Sequence, residues 1–500
     1  MNILIDTNVV IPLEPTCPEH VEAKTALAAD FVRAASSGGH RLLLHPESLR
    51  ELAGDRDATR RATRSVLIRK YQQLDPPPPL GDDVVSTLGR VDTSSHDYVD
   101  HLMLAAVHAD AVDFLVTDDG AIRSKASRLG LGDRVMTVED VLAFLTSLEG
   151  RTPPPPPFVE AVKAYELDER DPIFESFRAE YDDFDRWLVR CKREQRPAWV
   201  VRDDGRLAAV CIVKERDDEL SLGGHTLKIC SLKVAEERPG RRYGELLLKT
   251  LFHYLWENRY DFAFVTVFPQ HGGLIALLED FGFGRRLPDT GRGEFVYVKA
   301  LRPSPEDRGS MQPLEFHVRF GPPAVKLVPG GVYLVPIRPR YHRLLFPDAE
   351  PQPEERDQLE LPLGLPPAEP PGPFGNALRK AYLSKSSIRQ LGSGAALLFY
   401  RSWDIQAVTS IGVVEDTMRS RDAQQVAAFV GQRTVYTLDE ISSMCAEREV
   451  IAIRFRQDRL LPTPIPETEL VSKGVARRAP QSIASVPPEV IPWLVRRIGG

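Results

Sequence analysis

The chain has 500 residues, 42% hydrophobic and 27% charged, with a formal net charge of −7. That balance is ordinary for a soluble globular chain of roughly three domains. It excludes a wholly basic nucleic-acid binder, though not a local basic patch, and no apolar run approaches the ~20 residues of a membrane span.

The five cysteines, Cys17, Cys191, Cys211, Cys230 and Cys445, are scattered and lack CxxC spacing. Neither a disulfide framework nor a zinc site is expected, and a reducing cytoplasm is the default location. Met1 leads straight into an apolar run, without a basic leader or cleavage site.

Proline marks the divisions. Pro153–Pro157 form a stiff polyproline spacer after the first domain, residues 1–148. A weaker boundary at Arg302–Pro313 separates a middle domain, 158–301, from a last domain, 313–500. Within the last domain, residues 347–373 are rich in proline and acids and read as an extended insertion.

The first domain alternates strands and helices. Ile3–Ile5 is a short apolar strand ending in Asp6-Thr7-Asn8. Pro18–Ser36 patterns as an amphipathic helix, and Arg41–His45 as a second strand. Pro46 opens a helix carrying Glu51. A buried helix over Tyr98–Ala109 brings Asp97 and Asp100 to one face at its start. Asp113–Thr117 is a strand ending in Asp118-Asp119-Gly120, and Thr137 with Asp140 opens the last helix. Asp6-Thr7-Asn8 alone fits a helix cap as well as a metal ligand. Carboxylates recur, however, at strand ends and early helix turns: Asp6, Glu51, Asp100 and Asp119. Oxygen ligands of this kind suit Mg²⁺ or Mn²⁺, which can activate water for phosphodiester displacement.

These stretches resemble the PIN-domain nuclease family: Ile5-Asp6-Thr7-Asn8, Pro46 with Glu51-Leu52, Asp100 with Leu104-Ala105-Ala106, and Thr117-Asp118-Asp119. The resemblance implies an α/β sandwich with a metal-dependent ribonuclease site of Asp6, Glu51, Asp100 and Asp119, supported by Asn8. Asp97 and Asp118 compete for the third and fourth places. A PIN fold that binds RNA or a partner without cutting is the alternative.

The middle domain begins with an aromatic helical stripe, Phe174, Phe177, Tyr181, Phe184 and Trp187, which reads as a core face. Trp199–Val201 and Leu207–Lys214 form a hairpin around Asp203-Asp204-Gly205. Thr226–Val234 is a strand, followed by the turn Arg238–Glu245, an apolar helix over Leu246–Trp256 and a strand at Phe262–Phe268. Leu274–Leu278 is a helix, and Phe295–Val298 is the last strand. A strand, a Gly- and Arg-bearing turn and a helix N-terminus make a phosphate cradle. In this order of elements, with Asp280-Phe281-Gly282-Phe283, the domain resembles the GNAT acyltransferase family, a mixed sheet with helices. That resemblance implies acetyl-CoA, its pyrophosphate on Arg241, Arg242, Tyr243, Gly244 and Glu245 and its pantetheine along Leu232 to Val234. The family's turn has Gln or Arg, two residues, Gly, one residue and Gly. Here Gly244 fits the last place, while Pro239 and Arg242 hold the earlier two. Glu236 and Glu237 are candidate general bases, and no tyrosine stands in Leu274–Leu278 as a general acid.

The last domain offers many short strands: Val332–Ile337 with an edge-favouring proline, Ala395–Tyr400, Thr409–Glu415 and Val450–Phe455. Gln424–Val430 and a segment from Leu438 are helical. Arg379, Lys380, Tyr382, Lys385, Arg389, Arg401 and Arg433 interleave charge with aromatics, as nucleic-acid surfaces do. The pattern resembles the PUA-like group of RNA-binding β-barrels, which includes ASCH and EVE domains. It implies RNA contact through Arg379, Lys380, Tyr382 and Arg401.

Together these features anticipate a cytoplasmic, RNA-directed enzyme. It would combine an N-acetyltransferase using acetyl-CoA with a metal-dependent endoribonuclease. A non-catalytic RNA-binding regulator that senses acyl-CoA is the alternative.

Overall fold

The computed structural model describes residues 1–13, 23–53, 57, 61–62, 68, 71–93, 95–148, 159–203, 206–217, 219–235, 242–349 and 377–499. The polyproline spacer, Glu236, Glu237, Pro239, Arg241 and most of the 347–373 insertion lie outside the described residues. The chain forms two compact units. The first comprises residues 1–151, 422–432 and 436–443, and the second 152–421, 433–435 and 444–500.

The first unit is built on a five-stranded sheet in the order β3-β2-β1-β4-β5. Its strands are β1 (Asn2–Ile5), β2 (Arg41–Leu44), β3 (Gln72–Gln73), β4 (Phe114–Val116) and β5 (Val135–Met136). Every described pairing is parallel. Ile3, Leu4, Ile5, Phe114, Leu115 and Val116 are fully buried, as strands covered by helices on both faces must be. The helices are α1 (Thr7–Leu13), α2 (Ala23–Ser37), α3 (Pro46–Ala53), α4 (Asp82–Leu88), α5 (His96–His108), α6 (Gly120–Arg128) and α7 (Val138–Leu148). Ser95 and Asp119 cap α5 and α6 through their side chains. Residues from far along the chain also join this unit. The Met1 ammonium donates to Gln424 Oε1 at 3.2 Å, in a helix, Ala423–Val430, started by the Asp422 side chain.

The second unit holds two sheets. The first has the order β11-β12-β10-β9-β8-β7-β6. Its strands are β6 (Val159–Lys163), β7 (Pro197–Asp203), β8 (Arg206–Lys214), β9 (Thr226–Val234), β10 (Phe262–Val267), β11 (Gly284–Arg286) and β12 (Phe295–Ala300). All neighbours are antiparallel except β9 and β10. The aromatic stripe is two helices, α8 (Glu175–Glu180) and α9 (Phe184–Arg193), folded together so that Phe177 and Phe184 stack at 5.3 Å. The other face carries α10 (Tyr243–Glu257) and α11 (Gly272–Asp280), with Leu247, Leu248, Leu251 and Leu255 buried over Ala263 and Val265.

After α12 (Pro305–Ser310) and α13 (Pro313–Phe320) comes the second sheet, in the order β14-β17-β16-β15-β13-β18. Its strands are β13 (Val332–Ile337), β14 (Arg379–Ser384), β15 (Ala396–Arg401), β16 (Ala407–Ser420), β17 (Val450–Pro466) and β18 (Ala484–Ser485). β13 is not an edge, because β18 pairs with Tyr333 and Leu334, but Pro336 lies past that short pairing. The Tyr382 hydroxyl on β14 donates to Pro336 O on β13 at 2.8 Å. Those strands are separated by three others in the ladder, so the sheet curls strongly. The anticipated β-barrel is therefore seen as a curled six-stranded sheet, with no closing ladder among the described residues.

Candidate active site

In the middle sheet, β9 and β10 run side by side from the Thr226–Phe262 pair to the Ile229–Val265 pair and then part. The physical cause is on β9. Val213 of β8 faces Ile229, while Ile212 faces Ser231, so Cys230 is an extra, bulged residue. A bulge bends its strand and ends regular pairing. From Cys230 to Val234, β9 keeps β8 on one side and has no strand partner towards β10 among the described residues.

The N-terminus of α10 follows this parted edge. Its N-cap, Arg242, sits at φ 54° and makes no side-chain cap bond. At Gly244 a Cβ would stand 3.1 Å from Leu277 Cδ2 and 3.8 Å from Val234 Cγ2, so glycine lets the helix start approach the strand end. Arg242 NH1 pairs with Glu245 Oε1 at 3.0 Å. Glu245 Oε2 accepts from Leu378 N at 3.2 Å. Tyr243 is buried, so it can offer a phosphate only its backbone. The parted edge, the helix start and the apolar walls of Leu232, Val234 and Leu277 fit a ligand with an anionic head and an extended amide arm.

On the opposite face of the sheet stands a carboxylate that the sequence pattern did not mark. Glu294, immediately before β12, is 8% exposed. Its Oε1 accepts from the Tyr181 hydroxyl at 3.0 Å and Thr266 Oγ1 at 3.3 Å, and its Oε2 from Thr290 Oγ1 at 3.2 Å. Thr266 belongs to the part of β10 that has left β9. Burial, with the Glu294 charge second, raises the Tyr181 phenol well above its ordinary range, keeping it protonated and donating. The available signal was a lone acid between the Gly291/Gly293 turn and an apolar strand. His271 lies 3.0 Å from Glu180.

In the first unit, Asp6 ends β1, which lies between β2 and β4 where the strand order reverses. Such a switch point is the usual ligand position of an open parallel sheet. Asp6 is 4% exposed. It accepts from Thr117 Oγ1 at 2.7 Å and Thr7 N at 2.6 Å. Asn8 Nδ2 donates to Thr117 Oγ1 at 3.0 Å, and Asn8 Oδ1 receives Asp118 N at 3.2 Å. Burial pushes Asp6 up to about 6 against those bonds, and the Asp100 charge adds to the rise. Asp100 is raised too, by burial first, with Asp119 and Asp97 contributing.

Other contacts disperse the set. Lys125 Nζ sits 2.6 Å from Asp97 and 2.7 Å from Asp100. Glu51 pairs with His96 at 2.8 Å. Asp119 Oδ1 is taken by Ala121 N, and Asp118 Oδ1 receives Val138 N at 3.3 Å. Among the described residues no three His, Cys, Asp or Glu side chains are grouped to hold a metal ion.

Much of the anticipated RNA face of the last domain is turned inward, though Arg389 is exposed. Lys380 is fully buried, and burial lowers it well below the ordinary lysine range. Tyr382 is buried with its ring against Phe399. Arg401 is 4% exposed and paired with Asp404. Arg379, Arg433 and Arg456 converge on Glu415. In a curled sheet the concave side takes alternate residues just as a solvent face would, so alternation of charge and aromatics does not distinguish them.

Residues 161–283 match the model of the Acetyltransferase (GNAT) family. This segment is a GNAT acetyltransferase domain. The match implies acetyl-CoA use and covers the parted strands, the start of α10 and α11. Among solved structures, the chain is similar to an N-acetyltransferase from Staphylococcus aureus Mu50, at 15% identity over 29% of this chain and 98% of that one, TM-score 0.25. It is similar to a GNAT family acetyltransferase from Elizabethkingia anophelis with acetyl-CoA bound, at 13% identity over 29% and 98%, TM-score 0.21. It is also similar to ASCH from Zymomonas mobilis, at 11% identity over 33% and 94%, TM-score 0.25. No curated protein matches the chain. None of the described helices is long and apolar enough to cross a membrane.

Proposed function

We propose that the protein is an acetyl-CoA-dependent N-acetyltransferase acting on a primary amine. The parting of β9 and β10 beside the start of α10 carries this conclusion. Bound acetyl-CoA would supply an activated thioester acyl group. The backbone of Tyr243, Gly244 and Glu245 suits its phosphates, and the parted edge from Leu232 to Val234 suits its amide arm. Arg242 is held by Glu245, so the backbone rather than this guanidinium would meet the phosphates. An amine arrives as an ammonium ion. Glu294, fixed by Tyr181, Thr266 and Thr290, attracts it and takes the proton that must leave before nitrogen can attack. Transfer then forms a nitrogen–carbon bond, breaks the carbon–sulfur bond and releases the thiol after proton uptake. The test is thiol release from acetyl-CoA against a panel of amines, with calorimetry of acetyl-CoA binding. Absence of binding would leave a GNAT fold without the activity.

A second activity is a metal-dependent cut of RNA at Asp6, Glu51, Asp100 and Asp119, with Mg²⁺ or Mn²⁺. The position of Asp6 at the switch point and the burial that raises both Asp6 and Asp100, with the Asp100 charge adding to the rise at Asp6, favour it. The side chains as placed do not fit a metal, because Lys125 occupies the acidic group. An RNA pool left intact by protein with Mn²⁺, and unaffected by Asp6→Asn, would remove it. Three functional regions, 1–148, 158–301 and 313–500, the last PUA-like, make up this cytoplasmic protein. Acetyl-CoA binding without thiol release would favour a non-catalytic, acyl-CoA-sensing regulator instead.

A further inference from the structure

A cavity of about 320 Å³ lies at the other end of α10, away from the acetyl-CoA site. Trp256, on the last turn, is about 20 Å along the helix from Tyr243. The remaining walls come from the end of β12, from α13 and from the Pro322–Val325 segment. Four arginines line it, Arg259, Arg302, Arg308 and Arg459, and among the described residues no carboxylate does. Two are already engaged from behind. Arg302 pairs with Asp261 at 2.7 Å and Arg459 with Asp458 at 2.6 Å. The side chains of Arg259 and Arg308 are exposed and have no partner among the described residues. Trp256 leaves 47% of its surface exposed, with the Arg459 guanidinium 6.0 Å from its ring. Phe316 and Pro322 contribute an apolar floor.

Two unpartnered cations lining one cavity, Arg259 and Arg308, repel one another unless an anion sits there. A bare anion would satisfy the guanidinium groups but leave the indole and the apolar floor wet. A fatty acyl chain would cover the floor without using the flat stacking face. A nucleotide answers both demands, with its phosphate on two guanidinium forks and its base on an aromatic plate. The volume is at the small end of ligand sites, suiting one nucleotide rather than two. We propose that this cavity binds a single nucleotide, its phosphate held by Arg259 and Arg308 and its base against Trp256. The nucleotide is either free or the exposed end of an RNA strand. The site does not depend on the acetyltransferase reading.

The experiment is calorimetry on the full chain with acetyl-CoA present at saturation, so that an adenine nucleotide does not report on the coenzyme site. AMP, ribose phosphate, inorganic phosphate and a short end-phosphorylated oligoribonucleotide are titrated in turn. AMP is expected to bind, with ribose phosphate weaker by about tenfold or more because it has no base to stack. The double variant R259A/R308A, and separately Trp256→Ala, should each weaken AMP about tenfold or more while leaving acetyl-CoA affinity unchanged. These side chains are exposed, and thermal melts check that the fold is kept. An oligoribonucleotide that binds more tightly than AMP, with a steep salt dependence, identifies RNA as the source. Equal or weaker binding identifies a free nucleotide. No AMP binding at millimolar concentration, AMP binding no tighter than ribose phosphate, or variants that bind as the parent does would each overturn the proposal.

Discussion

Replacing Glu294 by glutamine separates a chemical role for this carboxylate from a structural one. Glutamine has nearly the same shape, so its oxygen can keep the bonds from Tyr181 and Thr266, now at 3.0 and 3.3 Å. Its amide nitrogen then faces Thr290 Oγ1, where the carboxylate accepted at 3.2 Å. Thr290 Oγ1 already receives Glu294 N and Arg292 N, so it can accept little more. Turning charge-assisted bonds into neutral ones, with one of them compromised, costs about 1–3 kcal/mol of stability. The loss of a proton acceptor is larger, about 100- to 10,000-fold in kcat, or ~3–5 kcal/mol of barrier. Thiol release at saturating acetyl-CoA and amine should therefore collapse while urea melts stay cooperative. The amine KM should rise and the acetyl-CoA Kd stay fixed, because the coenzyme site lies on the other side of the strand parting. A Glu294→Gln enzyme with kcat within a few-fold of the parent would refute the assignment.

Other substitutions test the frame around the site. Gly282 has φ +78°, and a Cβ there would lie 2.0 Å from Val318 O. Gly282→Ala adds a left-handed penalty of about 1–2 kcal/mol to a backbone overlap that no rotamer relieves. It also pulls apart Phe281, Val318 and Arg319, whose carbonyls hold the buried Lys299 ammonium. Urea melts should show a loss of at least ~3 kcal/mol, and a loss below ~1 would contradict the contact. Asp458 is fully buried. Burial alone would raise its carboxyl, but the Arg459 charge and the His317 contact prevail and hold it at about 2. A depressed carboxyl stabilises the fold above its unfolded value, so this contribution, about 2–3 kcal/mol, is lost as pH falls from about 4 to about 2. Asp458→Asn should flatten that limb of the stability curve; an unchanged acid slope would argue against the pairing.

Much of this was legible in the sequence where a single local rule decides the outcome. Thr226–Val234 is a strand over that span, and the Gly244 approach follows from a strand, a turn and a helix in succession. β3 and β5, two residues each, are too short to leave a periodic pattern. The parting of β9 from β10 depends on one extra residue at Cys230 whose presence shows only in the pairing with β8. Glu294 gains meaning from Tyr181, more than a hundred positions earlier, and no local window contains both. The basic strand residues failed for the opposite reason: their local pattern was clear, but the side they face is fixed by the curl of the whole sheet. The pattern thus makes Lys380 and Arg401 look like surface, whereas both are buried.

Lys125 decides what the acidic end of the first unit can hold. Its ammonium bridges Asp97 and Asp100, and with 17% of its side chain exposed it cannot swing far without losing cover. In effect it supplies the positive charge that a divalent ion would bring to the same carboxylates. A metal must therefore displace it, and its affinity is lowered by the energy of that pair. Lys125→Met keeps the aliphatic stem and removes the competitor. The metal-free variant should be less stable, because Asp100 loses its counter-charge while Asp119 and Asp97 remain close enough to raise it. If these carboxylates form a metal site, Mn²⁺ should restore that loss, adding about 2.7 kcal/mol when present at 100 times its Kd. The rise in melting temperature should be larger than in the parent and should vanish on adding Asp6→Asn. If Mn²⁺ moves neither protein, the Asp6 site holds no metal, and the fold around it serves the switch point without phosphodiester chemistry.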